Sequence, residues 1–189
     1  MEIDFNDIQA CLNGDNDAYR RLMQRYEPQI VRLMWRFTRD RNEVEQLVQE
    51  AFVEAFFSLK SYKGQGPFLH WLNKIATRVG YRFWKQRDRA GLFVPMDDMD
   101  NFDAVDESNA NEIDSAQAAE VLHSLFNRLQ ATDRLILTLM YFEECSIEEI
   151  AKRTGWTKAG TKMRAMRARG KLKKLAEKEN FSEKFEWIK

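Results

Sequence analysis

Cysteine is scarce in this chain. Cys11 and Cys145 are the two it has, and neither has another Cys or a His nearby at metal-ligand spacing. The pattern excludes a disulfide framework and predicts two buried thiols. Three prolines, at 28, 67 and 95, leave long uninterrupted stretches, and no run of β-branched residues alternates with polar ones over a strand's length. An all-α fold is expected. No apolar run approaches the roughly 20 residues that span a bilayer, and the acidic N-terminus MEIDFNDIQACLNGD lacks a signal-peptide pattern. The expectation is a cytoplasmic protein with no membrane insertion. Catalytic signals are equally thin. His70 and His123 are isolated, Gly64 and Gly66 precede no phosphate-binding pattern, and no Ser, His and Asp constellation appears. No enzyme activity, cofactor or metal is expected.

Net charge is also missing, since 30 Lys and Arg balance 30 Asp and Glu. The balance is uneven along the chain. Residues 63–89 carry seven basic and one acidic side chain, residues 152–178 eleven and one, and residues 90–121 nine acids with no base. Two anion-binding surfaces joined by an acidic segment account for such blocks. At 189 residues, with 44% hydrophobic content, the chain can form two small packed units.

Asp40 to Glu43 reads as a capping box opening a helix to about Leu59, and Pro67 suits the first turn of another helix to about Arg89. Pro28 is expected to break or kink an earlier helix that starts near Asp15. After Arg89, GLFVPMDDMDNFDAVDESNANE has no sustained apolar period and reads as a flexible acidic linker. Helical signals resume at about Asp114 and run through Leu129, then from about Asp133 to Phe142. Two small helical domains result, over 10–90 and 114–178, with a linker over 91–113 and a tail over 179–189. In the tail, Phe181, Phe185 and Ile188 recur at helical spacing, which fits either packing or a partner contact.

SIEEIAKRTGW begins with a Ser-x-x-Glu box (Ser146, Glu149), puts Ile147, Ile150 and Ala151 on one face and ends at Gly155; a second helix starts at about Thr157. This is a helix-turn-helix pattern. At about 100° per residue, Thr161, Ala165, Ala168, Leu172 and Leu175 form the core stripe of the second helix. Lys158, Lys162, Arg169 and Lys173 form one basic row, Arg164, Arg167, Lys171 and Lys174 another, and Ala159, Met163, Met166 and Gly170 lie between. A solvated face would mix signs to gain i,i+4 pairs, yet no acid occurs from Thr154 to Leu175. Basic rows beside a small apolar ridge suit a major groove, with a solvated or acidic-partner-binding face as the alternative.

The helix over 67–89 projects Phe68, Leu72, Ile75, Ala76, Val79 and Phe83 onto a core stripe. Trp71, Lys74, Arg78, Arg82 and Lys85 gather on another stripe, about 80° wide, with Tyr81 at its border. Cations with a flat ring suit unstacked nucleic acid, although Trp71 could instead belong to the core. The preceding helix is polar only along Glu45, Gln46, Gln49, Glu50 and Glu54, so it is central to its bundle, and that strip is either solvated or docks a protein.

Taken in order, EQLVQEAFVEAF, YKGQGPFLHWLNKIA, the acidic linker and SIEEIAKRTGWTKAGTKMRAMRARGKL resemble a bacterial RNA polymerase sigma factor of the extracytoplasmic-function group, in the sigma-70 superfamily. The resemblance covers about residues 10–178. It implies core RNA polymerase binding at Glu45, Gln46, Leu47, Val48, Gln49 and Glu50. It implies reading and opening of the minus-ten element by Ser61, Tyr62, Lys63, Gly64, Trp71, Lys74, Arg78, Arg82 and Lys85. Reading of the minus-thirty-five element falls to Lys158, Lys162, Met163, Arg164, Met166, Arg167 and Arg169. The implied partners are core polymerase, promoter DNA as duplex and melted strand, and an anti-sigma factor; the linker would thread a basic channel near the polymerase active centre. The chain departs from the family pattern at Gln46, where Asp is common, at Arg78 and Arg82, where Asn and Asp are frequent, and at Ala159-Gly160-Thr161, where Gly-Thr-Val is usual. The alternatives are a helix-turn-helix regulator that binds duplex DNA without polymerase, and a helical adaptor for an acidic protein. Tight promoter binding by the chain alone marks the first, and weak salt dependence without DNA contact marks the second.

Overall fold

The computed structural model describes residues 2–91 and 124–178, whose regular structure is all helical. The chain divides into two compact units, residues 1–84 with 151–155 and residues 85–150 with 156–189. The expected linker over 91–113, apart from Gly91, the helical start near Asp114 and the tail over 179–189 lie outside the described residues.

The N-terminal unit is built from α1 (Glu2–Leu12), α2 (Asn16–Met34), α3 (Arg41–Ser58), a 3-10 turn (Leu59–Ser61) and α4 (Phe68–Arg89), the last running past the division. Helix α1 packs on α2, so the helical unit starts well before the boundary expected at residue 10. Its hold on α2 is largely ionic, which apolar periodicity does not report. Arg21 Nε donates to Asp7 at 2.8 Å, Arg25 reaches Asp4 at 2.6 Å and Asp7 at 2.9 Å, and the Tyr26 hydroxyl donates to Asp4 at 2.7 Å. Ile8 seals the contact, fully buried.

Asp15 caps α2 by accepting from the Asp17 and Ala18 amides, as the helix start near Asp15 predicts. Of the break or kink expected at Pro28, a break is not there, because α2 continues to Met34. Pro28 and Gln24, whose carbonyl loses a donor, are both exposed, so water can serve that carbonyl. Asp40 caps α3 through the Asn42 and Glu43 amides, but Glu43 bonds the Thr38 hydroxyl instead of completing the box. On α4, Phe68, Leu72, Ile75, Ala76 and Val79 are buried as the stripe predicts. Trp84 is buried too, and Phe83 only half-buried. The Trp84 indole has a polar reason to turn inward: its N–H donates to the Phe37 carbonyl at 2.7 Å.

Beyond residue 123 a helical stretch over 124–127 precedes α5 (Ala131–Tyr141), α6 (Ile147–Thr154) and α7 (Lys158–Lys178), all in the second unit except residues 151–154 of α6. Helix α5 is buried around most of its girth and packs on α7. Arg134 is buried on α5 and donates to the carbonyls of Phe126 at 2.8 Å, Asn127 at 2.6 Å and Leu129 at 3.3 Å. It satisfies the open end of the preceding helix, where a cation is favoured. Burial pushes its pKa down to about 10, against the attraction of Asp88. Cys145 is buried as expected, whereas Cys11 is half-buried.

The helix-turn-helix follows the sequence closely. Glu149 accepts from the Ser146 amide at 2.8 Å and the Ser146 hydroxyl accepts from the Glu149 amide at 3.2 Å, a reciprocal box that opens α6. Gly155, at φ +78°, turns the chain after α6, and the Thr157 hydroxyl accepts from the Gly160 amide at 3.1 Å to start α7.

Candidate nucleic-acid interface

Helix α7 buries Thr161, Ala165, Ala168, Leu172 and Leu175, the stripe read from the sequence, together with Ala176. With that side fixed, the opposite one is fixed too. Lys162, Met163, Met166 and Arg167 are all exposed, on an arc of about 140° facing away from the core. The two methionines are 48% and 58% exposed, which leaves a soft apolar ridge in water.

The basic rows are not uniform. Lys171 pairs with Asp133, and Arg169 donates to the Tyr141 hydroxyl at 3.0 Å, so both fasten α7 to α5. Lys158 lies 3.6 Å from Glu148, and the Arg164 guanidinium stacks 4.6 Å from the Trp156 ring centre. Gly160 makes room for that stacking, because a Cβ there would come within 2.8 Å of the guanidinium. Lys162, Arg167, Lys173 and Lys174 have no acidic partner among the described residues. The charge open to a phosphate therefore concentrates around the methionine ridge.

On the N-terminal unit, the turn Leu59–Ser61 leads into a loop whose ends are tied by the Tyr62 hydroxyl, which donates to the Gly66 carbonyl at 2.5 Å. Gly64, at φ +70°, takes the sharp bend. Ser61, Lys63 and Gly64 are exposed on this loop. The Tyr62 ring stands edge-on to Trp71 at 5.7 Å and to Phe68 at 5.4 Å, and Phe68 and Trp71 are 5.3 Å apart. Phe68 is the buried floor, and Tyr62 and Trp71 are half-buried above it. Trp71 thus belongs to a ring cluster and also reaches the surface. Tyr26 backs the floor at 5.4 Å, so the ion network of α1 and α2 supports the loop from behind.

Along α4, Lys74 and Arg78 have no acidic partner among the described residues, and Arg78 and Lys85 are exposed. Arg82 differs. Its guanidinium turns to α3 and pairs with Glu50 at 2.5 Å and with Glu54. Burial acts against its charge, and the hydrogen bonds it donates to the two carboxylates raise its pKa above the ordinary value. Arg82 is therefore engaged within the unit, where the sequence placed it in an open basic row.

The polar strip read on α3 holds, with Glu54 half-buried at its end, but two residues named with it for polymerase binding do not lie on it. Leu47 and Val48 are buried in the core, so only Glu45, Gln46, Gln49 and Glu50 of the expected set face outward. The exposed face continues one turn further than expected, through Val53 at 53% exposure and Phe57 at 79%, with Phe56 beside them. Helical projection carries the signal, since Val53 and Phe57 fall in the middle of the polar strip. An apolar pair on a polar face is the residue pattern that marks a contact surface.

Among the described residues no helix is long and apolar enough to cross a membrane, and no group of three or more metal-ligating side chains comes together.

Comparison with known proteins accounts for both units. Residues 22–90 match Sigma-70 region 2, and residues 119–172 match Sigma-70, region 4, more than half of the chain between them. The ECF RNA polymerase sigma-E factor of Haemophilus influenzae is 25% identical over 169 residues, covering 86% of this chain and 89% of its own. Two solved structures share the fold. One is CnrH in complex with the cytosolic domain of CnrY, with a TM-score of 0.60 at 22% identity, covering 93% of this chain and 97% of its own. The other is the sigma factor RpoE in complex with the anti-sigma factor NepR from Bartonella quintana, with a TM-score of 0.56 at 20% identity, covering 84% and 96%. A regulator acting without polymerase would leave the region 2 half unused. The chain belongs to the sigma-70 family of RNA polymerase sigma factors, in its extracytoplasmic-function group.

Proposed function

We propose that this sigma factor docks on core RNA polymerase through the outward face of α3, holds the melted strand of the minus-ten element on the loop after α3 and on α4, and seats α7 in the major groove of the minus-thirty-five element. What carries the reading is the presence in one chain of two differently built basic surfaces. On α4, cations stand beside a half-exposed ring cluster (Lys74, Arg78, Trp71, Tyr62), which suits splayed bases. On α7, cations flank an apolar ridge with no ring, which suits the intact groove. Lys162 and Arg167 meet phosphates or guanine edges, and Met163 and Met166 meet thymine methyls. Lys158, Arg164 and Arg169 take part after giving up their contacts with Glu148, Trp156 and Tyr141. On α3, Glu45, Gln46, Gln49 and Glu50 supply the polar part of the polymerase contact, and Val53 and Phe57 the apolar anchor.

The protein acts in the cytoplasm, where polymerase is, and carries out no reaction step. Strand opening draws on binding energy, because stacking a freed base on Trp71 or Tyr62 offsets the cost of unstacking it, a few kcal/mol per step. An anti-sigma factor of the kind found with the Bartonella quintana protein is a further partner. Transcription in vitro tests the reading: core polymerase with and without the chain, on pooled genomic DNA, with transcript starts mapped. New starts sharing two spaced upstream elements support it. DNA binding by the chain alone with no new starts contradicts it.

A further inference from the structure

Arg82 lies one turn beyond Arg78 on α4, in line with Trp71 and Lys74, so its position on the helix is that of a strand-binding residue. Its guanidinium is instead held by α3, 2.5 Å from Glu50 and in contact with Glu54. Glu50 and Glu54 are one helical turn apart, a like-charged i,i+4 pair that repels unless a cation sits between them. Arg82 is that cation. Glu50 also belongs to the proposed polymerase face, so the two proposed surfaces meet at one ion-pair cluster. All three side chains remain partly in water, which keeps the pairs weak and exchangeable.

We propose that Arg82 is a latch that couples polymerase docking to strand capture, with Glu54 as its positioning residue. In the free chain Glu50 and Glu54 hold the guanidinium off the strand path. A cation of core polymerase docked on the α3 face takes over the carboxylates and releases Arg82 to a phosphate of the melted strand. The coupling is reciprocal, so strand binding strengthens polymerase binding by the same factor. One exposed ion pair sets its scale at about two- to fivefold. The inference rests on the reading of α3 and α4 given above.

The test is a double-mutant cycle on the full chain, reading the affinity of a labelled oligothymidylate by anisotropy across salt concentrations, without and with core polymerase. Glu54→Gln is expected to raise affinity by about two- to fivefold and to steepen the logarithmic salt slope by about 0.7, one added phosphate on a single strand. In the Arg82→Gln background the same change is expected to do nothing. A gain that persists in that background reports only a lost negative charge and overturns the latch, as does no gain at all. With polymerase bound, the latch is already open, so wild type and Glu54→Gln should bind alike; a remaining difference also overturns it. Wild-type transcription from mapped promoters keeps the function reading in place when the cycle is null. No transcription and no strand binding by any variant contradicts both.

Discussion

The Phe37 ring lies 4.5 Å from the Trp84 indole, whose N–H donates to the Phe37 carbonyl, so ring and backbone of one residue are fixed by the same partner. The consequence falls on Gly80, one turn before Trp84 on α4. A Cβ there would come within 2.5 Å of three atoms of the Phe37 ring. Trp84 leaves that ring little freedom to move aside.

Gly80→Ala therefore sets a helix-propensity gain of about 1 kcal/mol against overpacking of about 1–3 kcal/mol or more. The clash should win, with a net loss of up to about 2 kcal/mol. Chemical denaturation checks this, and an unchanged or raised midpoint contradicts the packing described.

Acid should loosen α1 before the rest of the unit. Burial raises the Asp7 pKa, but hydrogen bonds and charge from Arg21 and Arg25 outweigh it and hold the carboxyl below its ordinary 3.8. A depressed folded value means the added stability is complete above the ordinary value and is lost as pH falls through the folded one. Asp7→Asn should lower stability near neutral pH and flatten its fall below about pH 4. Melting curves across pH read both, and parallel curves for the two proteins count against the network.

Truncating Arg134 leaves the carbonyls of Phe126, Asn127 and Leu129 without the buried guanidinium. Arg134→Ala should cost about 2–4 kcal/mol, with loss of amide protection over α5. Hydrogen exchange locates the effect. Full protection in the variant would show that the helix end does not depend on Arg134.

Phe57→Ser removes a side chain that is 79% exposed, so stability should change little. Affinity for core polymerase should fall by about tenfold, the cost of an interface anchor. A holoenzyme titration that matches wild type places the anchor elsewhere.

The residues that sequence alone placed well are those whose position follows from helical period or local hydrogen bonding. The α7 stripe, the Ser146 and Glu149 box and the turn at Gly155 are of this kind. What escaped depends on contacts distant in sequence. Arg82 has the spacing of an open basic row, and only the approach of Glu50 and Glu54 shows it engaged. Leu47 and Val48 stand in the stretch expected to bind polymerase, and only the packing of the unit shows them buried. Trp84 displaced Phe83 from the core because a carbonyl at Phe37 was in reach of its N–H. Helix α1 was missed because carboxylates and arginines hold it, and these carry no apolar period.

The central claim is that one surface grips duplex DNA and another holds the melted strand. Footprinting of a mapped promoter tests it most directly, using DNase for protection and permanganate for unpaired thymines, with holoenzyme carrying wild type, Trp71→Ala or Arg167→Ala. Trp71→Ala should keep upstream protection and lose permanganate reactivity at the minus-ten element, whereas Arg167→Ala should weaken upstream protection first. Loss of both signals together in both variants, with the fold intact, would contradict two separate surfaces.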